Sequence, residues 1–217
     1  MLKCVIFDLD GTIADTLPLC IAAFRQSVES ILGKSISDNE IVATFGPSEE
    51  GTIQALTPDF FTEGLANYLE SYRQLHSMCQ QPFDGIIDLL SELKECGLLL
   101  ALVTGKGIKS LNISLDIFGI SKYFDAIETG SPKGPSKPEG MRKVLNKLGL
   151  KPYEAVYIGD APNDIVSAHE VSIPVIAAAW ANTAEASELK KYMPDKICYS
   201  IAELHDYLLK EDAVRHP

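Results

Sequence analysis

The chain has 217 residues, enough for one sizeable core or for a core domain carrying a smaller insertion. Hydrophobic residues make up 46% and charged residues 23%, the balance of a globular protein. With 30 acids against 19 bases the net charge is −11, which repels a nucleic-acid backbone; it still admits a small phosphorylated ligand where a local cation reverses the field.

The N-terminal run Met1 to Asp8 is too short and ends too acidic for a signal peptide, and no apolar stretch approaches transmembrane length. Lys3 to Phe7 predicts a buried strand that ends at Asp8. From Thr16 to Gln81 only helical patterning follows. Leu17 to Ile31 predicts one helix, Ser37-Asp38-Asn39-Glu40 reads as a capping box for a second, and Thr57-Pro58 opens a longer one reaching Met78. Such a stretch is too long for a crossover and suits a small helical bundle. Pro18, Pro82 and Gly85 punctuate its two junctions.

Beyond it, strands and helices alternate. Helices are predicted over Ile86–Glu95, Ile108–Phe118, Gly140–Leu148 and Ile165–Glu170, with strands at Leu98–Val103, Ala155–Ile158 and Ile173–Ala178. The expected fold is therefore α/β, a Rossmann-like parallel sheet with helices on both faces and a small inserted α-helical cap. The expected division is 1–15 and 82–210 for the core, 16–81 for the cap and 211–217 for a disordered C-terminal tail. Cys4, Cys20, Cys79, Cys96 and Cys198 are odd in number and lack CxxC spacing, against a disulfide framework or a zinc site. They are read as small buried apolar side chains in a cytoplasmic protein.

The chemistry-bearing residues sit where strands end. Asp8-Leu9-Asp10-Gly11-Thr12 closes the first strand and sends two carboxylates off the sheet edge, where they repel each other unless a cation lies between them. Magnesium suits such hard oxygen donors. Gly159-Asp160-Ala161-Pro162-Asn163-Asp164 repeats the pattern after a later strand; alone, Asp164 is equally a dipole-favoured acid at a helix start. Thr104 and Gly105 follow the Leu98–Val103 strand, where a hydroxyl and exposed N–H groups hold phosphate oxygens or simply cap a helix. A lysine is needed to offset phosphate charge; Lys137 is the choice and Lys133, in the same glycine- and proline-rich loop, the competitor.

The order DxDGT, Thr, Lys-Pro and GDxxxD, from Asp8 to Asp164, resembles the haloacid dehalogenase-like hydrolase superfamily, and within it the phosphoglycolate phosphatase and beta-phosphoglucomutase group. Asp15-Thr16 and Thr44-Phe45-Gly46-Pro47 add to the likeness. The resemblance implies a nucleophilic Asp8 and a general acid–base Asp10. It implies Mg2+ held by the Asp8 carboxylate, the Asp10 carbonyl, Asp160 and Asp164, and phosphate held by Thr104, Gly105 and Lys137. The implied activity is a phosphatase for a small phosphorylated metabolite, phosphoglycolate first, acting as a monomer or homodimer. The rivals are a sugar-phosphate mutase, a pyrophosphatase or nucleoside monophosphate phosphatase, and a non-catalytic phosphoacceptor or binding module. In the cap, Arg25 and Phe45-Gly46-Pro47 are candidates to face the site, although Arg25 is read first as a surface helix residue. Tyr68, Tyr72 and Leu75 are read as cap core and His76 as structural or solvated.

Overall fold

Strand β1 (Cys4–Phe7) lies between β2 (Leu99–Val103) and β4 (Ala155–Gly159) in a computed structural model that describes residues 1–209. With β3 (Ala126–Glu128), β5 (Val175–Ala178) and β6 (Lys196–Cys198) they form one parallel sheet of order β3-β2-β1-β4-β5-β6. The expected tail, 211–217, lies outside the described residues. Side chains alternate across the sheet. Val5, Phe7, Leu100, Leu102, Val156 and Ile158 enter one apolar cluster, whereas Cys4, Ile6, Ala101, Val103, Tyr157 and Val175 enter another on the opposite face. Burial on both faces is why these strands read as unbroken apolar runs.

Between β1 and β2 the chain is helical: α1 (Leu17–Leu32), α2 (Asp38–Val42), α3 (Glu49–Leu56), α4 (Phe61–Leu75) and then α5 (Ile86–Glu95). The capping box forms as the spacing predicts. Ser37 Oγ accepts from Glu40 N at 3.3 Å while the Glu40 carboxylate accepts from Ser37 N at 2.9 Å, an arrangement worth about 1 kcal/mol. Thr57-Pro58 opens one 3₁₀ turn, Pro58–Phe60, and α4 begins after it. The two chain crossings into and out of this helical block run side by side, joined by Phe83 N donating to Ile13 O at 2.9 Å.

The block's interior is aromatic. Phe24 stacks on Tyr68 at 4.3 Å between ring centres, and Tyr68 on Tyr72 at 5.7 Å. This interior is continuous with the apolar cluster on one face of the sheet. Tyr72 also shares a 2.8 Å hydrogen bond with Ser114 Oγ on α6 (Ile108–Phe118). Burying each such side chain is worth about 1.5–3 kcal/mol, so α1 and α4 are fixed far more by packing than by helix propensity.

The sheet's faces are covered by α5, α6 and α10 (Ile201–Leu209) on one side, through Leu89, Leu111 and Leu204. On the other lie α7 (Lys137–Leu148), α8 (Pro162–Val171) and α9 (Ala186–Leu189), through Met141, Ile165 and Leu189. No helix among the described residues is long and apolar enough to cross a membrane.

One expectation needs correction, and of the two readings of Arg25 the surface one holds. Cys96 is exposed, not buried, because it caps the C-terminus of α5 in the turn before Gly97. Arg25 does not reach the strand ends; its guanidinium pairs with Asp38 at the start of α2, half in solvent. Leu75 packs only at the margin of the aromatic interior. His76 is buried, with Nε2 3.1 Å from Ser114 Oγ.

Candidate active site

All strands run the same way, so their carboxyl ends share one edge of the sheet. Asp8 and Asp10 leave β1 there, Thr104 and Gly105 leave β2, and Asp160 leaves β4. Lys137 arrives from the first turn of α7, not from the preceding loop as expected, because that helix begins three residues before Gly140.

Asp8 is buried. Its N–H donates to Ile158 O at 2.9 Å, Oδ2 accepts from Lys137 Nζ at 2.8 Å, and Oδ1 has no partner. Burial pushes its pKa up to about 6 against the pull of Lys137, with Asp164 and Asp10 adding to the rise. Lys137 Nζ also donates to Asp164 Oδ1 at 2.5 Å. Burial works to lower the lysine's pKa, but Asp164 and Asp8 together hold it far above the ordinary lysine range. Lys133 lies exposed in the loop that Ser131 and Gly134 close, away from these carboxylates.

Asp164, in the first turn of α8, is fully buried and fully engaged. Beside Lys137, its Oδ1 lies 3.0 Å from the Tyr157 hydroxyl, and Oδ2 accepts from Ala161 N at 3.0 Å. Asp160 is pushed up to about 8 by burial, then by Asp164 and Asp8. Carboxylate oxygens of Asp8, Asp160 and Asp164 lie within 4.8 Å of one another. Ligands on opposite sides of a small hard cation are about 4.2 Å apart, so the spacing and the all-oxygen donors fit such an ion. The unpartnered Asp8 Oδ1 and the elevated Asp160 both mark a deficit of positive charge at this point.

Two glycines permit the crowding. Gly11 has φ +75°, and a Cβ there would run into the Asp160 carboxylate; a Cβ at Gly159 would run into Asp164. The Asp10 carboxylate is not in the cluster. It turns towards the helical block, accepts the Thr16 hydroxyl and lies 3.2 Å from Lys106 Nζ. Thr104 is buried, with Oγ1 accepting from Lys106 N at 3.3 Å. Gly105 lines the cavity over the site.

Lys106 and Glu49 were not singled out from the sequence. Lys106 is 4% exposed. Its Nζ lies 3.0 Å from Cys20 Sγ, 3.5 Å from Glu49 Oε1 and 4.5 Å from the centre of the Tyr72 ring. Glu49, at the start of α3, also accepts from Gly107 N and, at 2.5 Å, from the Ser110 hydroxyl. Ser48 N donates to Ser131 O at 2.9 Å, a second tie between the helical block and the loops of the sheet. A cavity of about 510 Å³ lies between block and strand ends, with Asp8, Asp10, Lys137 and Asp160 in its floor and the expected Phe45, Gly46 and Pro47 in its wall.

The sequence profile of the haloacid dehalogenase-like hydrolases matches residues 5–178. Pyrophosphatase PpaX of Bacillus pumilus is 30% identical over 202 residues, covering 92% of this chain and 93% of that protein. Pyrophosphatase PpaX of Halalkalibacterium halodurans is 28% identical over 204 residues, with 93% and 94% covered. A solved haloacid dehalogenase-like hydrolase from Streptococcus pneumoniae superposes with a TM-score of 0.77 at 29% identity, over 95% of this chain and 98% of that one.

Proposed function

The chain belongs to the haloacid dehalogenase-like hydrolase family and is a phosphatase, and from that premise we propose that it hydrolyses a small-molecule phosphate monoester through an aspartyl-phosphate on Asp8. The observation that carries this is the state of the Asp8 carboxylate: buried at the strand edge, one oxygen held by Lys137 and the other without a partner. An oriented, partly desolvated carboxylate is what attack on phosphorus requires. Asp8 displaces the leaving oxygen to give the acyl phosphate, and water then attacks that phosphorus and returns the carboxylate.

Asp10 protonates the leaving oxygen and later takes the proton from water. Its carboxylate lines the cavity 3.2 Å from Lys106 Nζ, on the leaving-group side. Thr104, Gly105 and Lys137 hold the oxygens that are not transferred. The Asp8, Asp160 and Asp164 oxygens, with the Asp10 carbonyl close to Asp8 in the chain, would hold Mg2+, which would neutralise phosphate charge beside a carboxylate. Asp164, directly or through water, would serve the ion while also holding Lys137 in place. The helical block, residues 16–81, acts as the cap that excludes bulk water.

The relatives' name makes inorganic pyrophosphate a second substrate to consider, attacked by the same Asp8. The test is the Asp8→Asn variant with Mg2+ present, assayed for phosphate release. Loss of turnover to below one part in about 10⁴, with an unchanged melting curve, is the expected result. Near-native phosphate release would remove Asp8 from the mechanism.

A further inference from the structure

We propose that the alcohol released by this enzyme is uncharged, bulky and largely apolar, such as a benzylic or nucleoside-like alcohol, and that Glu49 of the helical block rejects leaving groups bearing a second anion. This deepens the reading of Asp8 as nucleophile and rests on it. The cavity's volume of about 510 Å³ is in the range that encloses a whole drug-sized ligand, far more than the phosphoryl group alone occupies. Its wall away from the carboxylates is Leu17, Phe24, Phe45, Pro47, Tyr68 and Pro135. Such a surface offers apolar burial and ring stacking and nothing to a charge.

The cations settle which leaving groups are excluded. Among the described residues only Lys106 and Lys137 bring positive charge to the lining. Lys137 is held on Asp8 and Asp164, on the phosphoryl side. Lys106 is 3.2 Å from Asp10 and 3.5 Å from Glu49, two carboxylates for one ammonium. A carboxylate or second phosphate on the leaving group would meet this net negative trio with no cation left to pair with, in a buried setting where like charges repel strongly. The exposed Asn163 in the lining offers an uncharged polar contact to a ring or ether oxygen of the alcohol.

The test is a matched pair in the presence of Mg2+: benzyl phosphate and 4-carboxybenzyl phosphate, which differ by one carboxylate remote from the ester, together with pyrophosphate. The proposal expects kcat/KM for benzyl phosphate to exceed that for each anionic substrate by at least about tenfold. Glu49→Gln should narrow the gap within the benzyl pair, and Phe45→Ala should raise KM for benzyl phosphate. Equal or better turnover of 4-carboxybenzyl phosphate or pyrophosphate by the wild type overturns it, whether or not either variant folds. Asp8→Asn run on the same panel judges the nucleophile separately. A dead variant upholds Asp8 whichever substrate ranks first, so the ranking alone decides the leaving group.

Discussion

The two sides of the cavity solve the problem of buried charge in opposite ways. On the strand side, Asp8, Asp160 and Asp164 share one lysine, and burial with mutual repulsion lifts Asp8 to about 6 and Asp160 to about 8. On the helical side, Lys106 is surrounded by Asp10, Glu49, Cys20 and the face of Tyr72, and Glu49 is bonded further to Gly107 and Ser110. The first arrangement is electrostatically incomplete and calls for a cation and a phosphate. The second keeps one net negative charge, but each of its groups already has a partner within the protein. Function is written in the shortfall, and position in the balance.

Removing a charge from the balanced side should therefore harm the fold most. Lys106→Met leaves buried Glu49 and half-buried Asp10 without a cation beside them, and should cost about 3–5 kcal/mol of unfolding free energy in urea titrations. Lys106→Met with Glu49→Gln should recover part of that loss. Equal stability of single and double variants would show that the two groups are not coupled.

The incomplete side should respond in the other direction, gaining from an added ion. Mg2+ at one hundred times its dissociation constant should raise the unfolding free energy by about 2.7 kcal/mol, and Asp160→Asn should abolish most of the gain. A melting temperature indifferent to Mg2+ would remove the reason for grouping Asp8 with Asp160.

The smallest effect tests whether the balanced side is free of titratable strain. Burial holds the His76 pKa below 6.5. Between that lowered value and 6.5 the unfolded chain takes a proton that the folded chain refuses, so stability falls as pH drops through this window. His76→Gln should flatten that slope in melts from pH 7 to pH 5. An unchanged slope would mean that His76 protonates equally in both states.

The strand-side constellation was readable in the sequence because each acid follows an apolar run that stops abruptly, as at Phe7-Asp8 and Gly159-Asp160. Lys137 was readable as the lysine of a Lys-Pro pair before the Ala155–Ile158 strand, though not as the first residue of a helix. The helical-side constellation was hidden. Lys106 lies between two glycines, where a lysine ordinarily faces water, and its partners come from α1, α3 and α4, segments whose meeting depends on packing rather than spacing. Glu49 opens a helix of eight residues, Glu49–Leu56, too short and polar to show a periodic face. Strands β3 and β6 escaped notice for a related reason: three residues each, at the sheet's edges, ending or beginning in a charged residue.

The place of β1 in the sheet has a consequence for how the protein comes into being. The strand that carries Asp8 is synthesised before both of its neighbours, which pair with it from Leu99 and from Ala155, about 95 and 150 residues later in the chain. Until both have emerged, this wholly apolar strand has no lateral partner on at least one flank. Contacts so distant in sequence make for slow maturation and leave the nascent chain dependent on protection from self-association. The carboxylate cluster at the strand edge is thus assembled only after Asp160 and Asp164 have been made, long after Asp8.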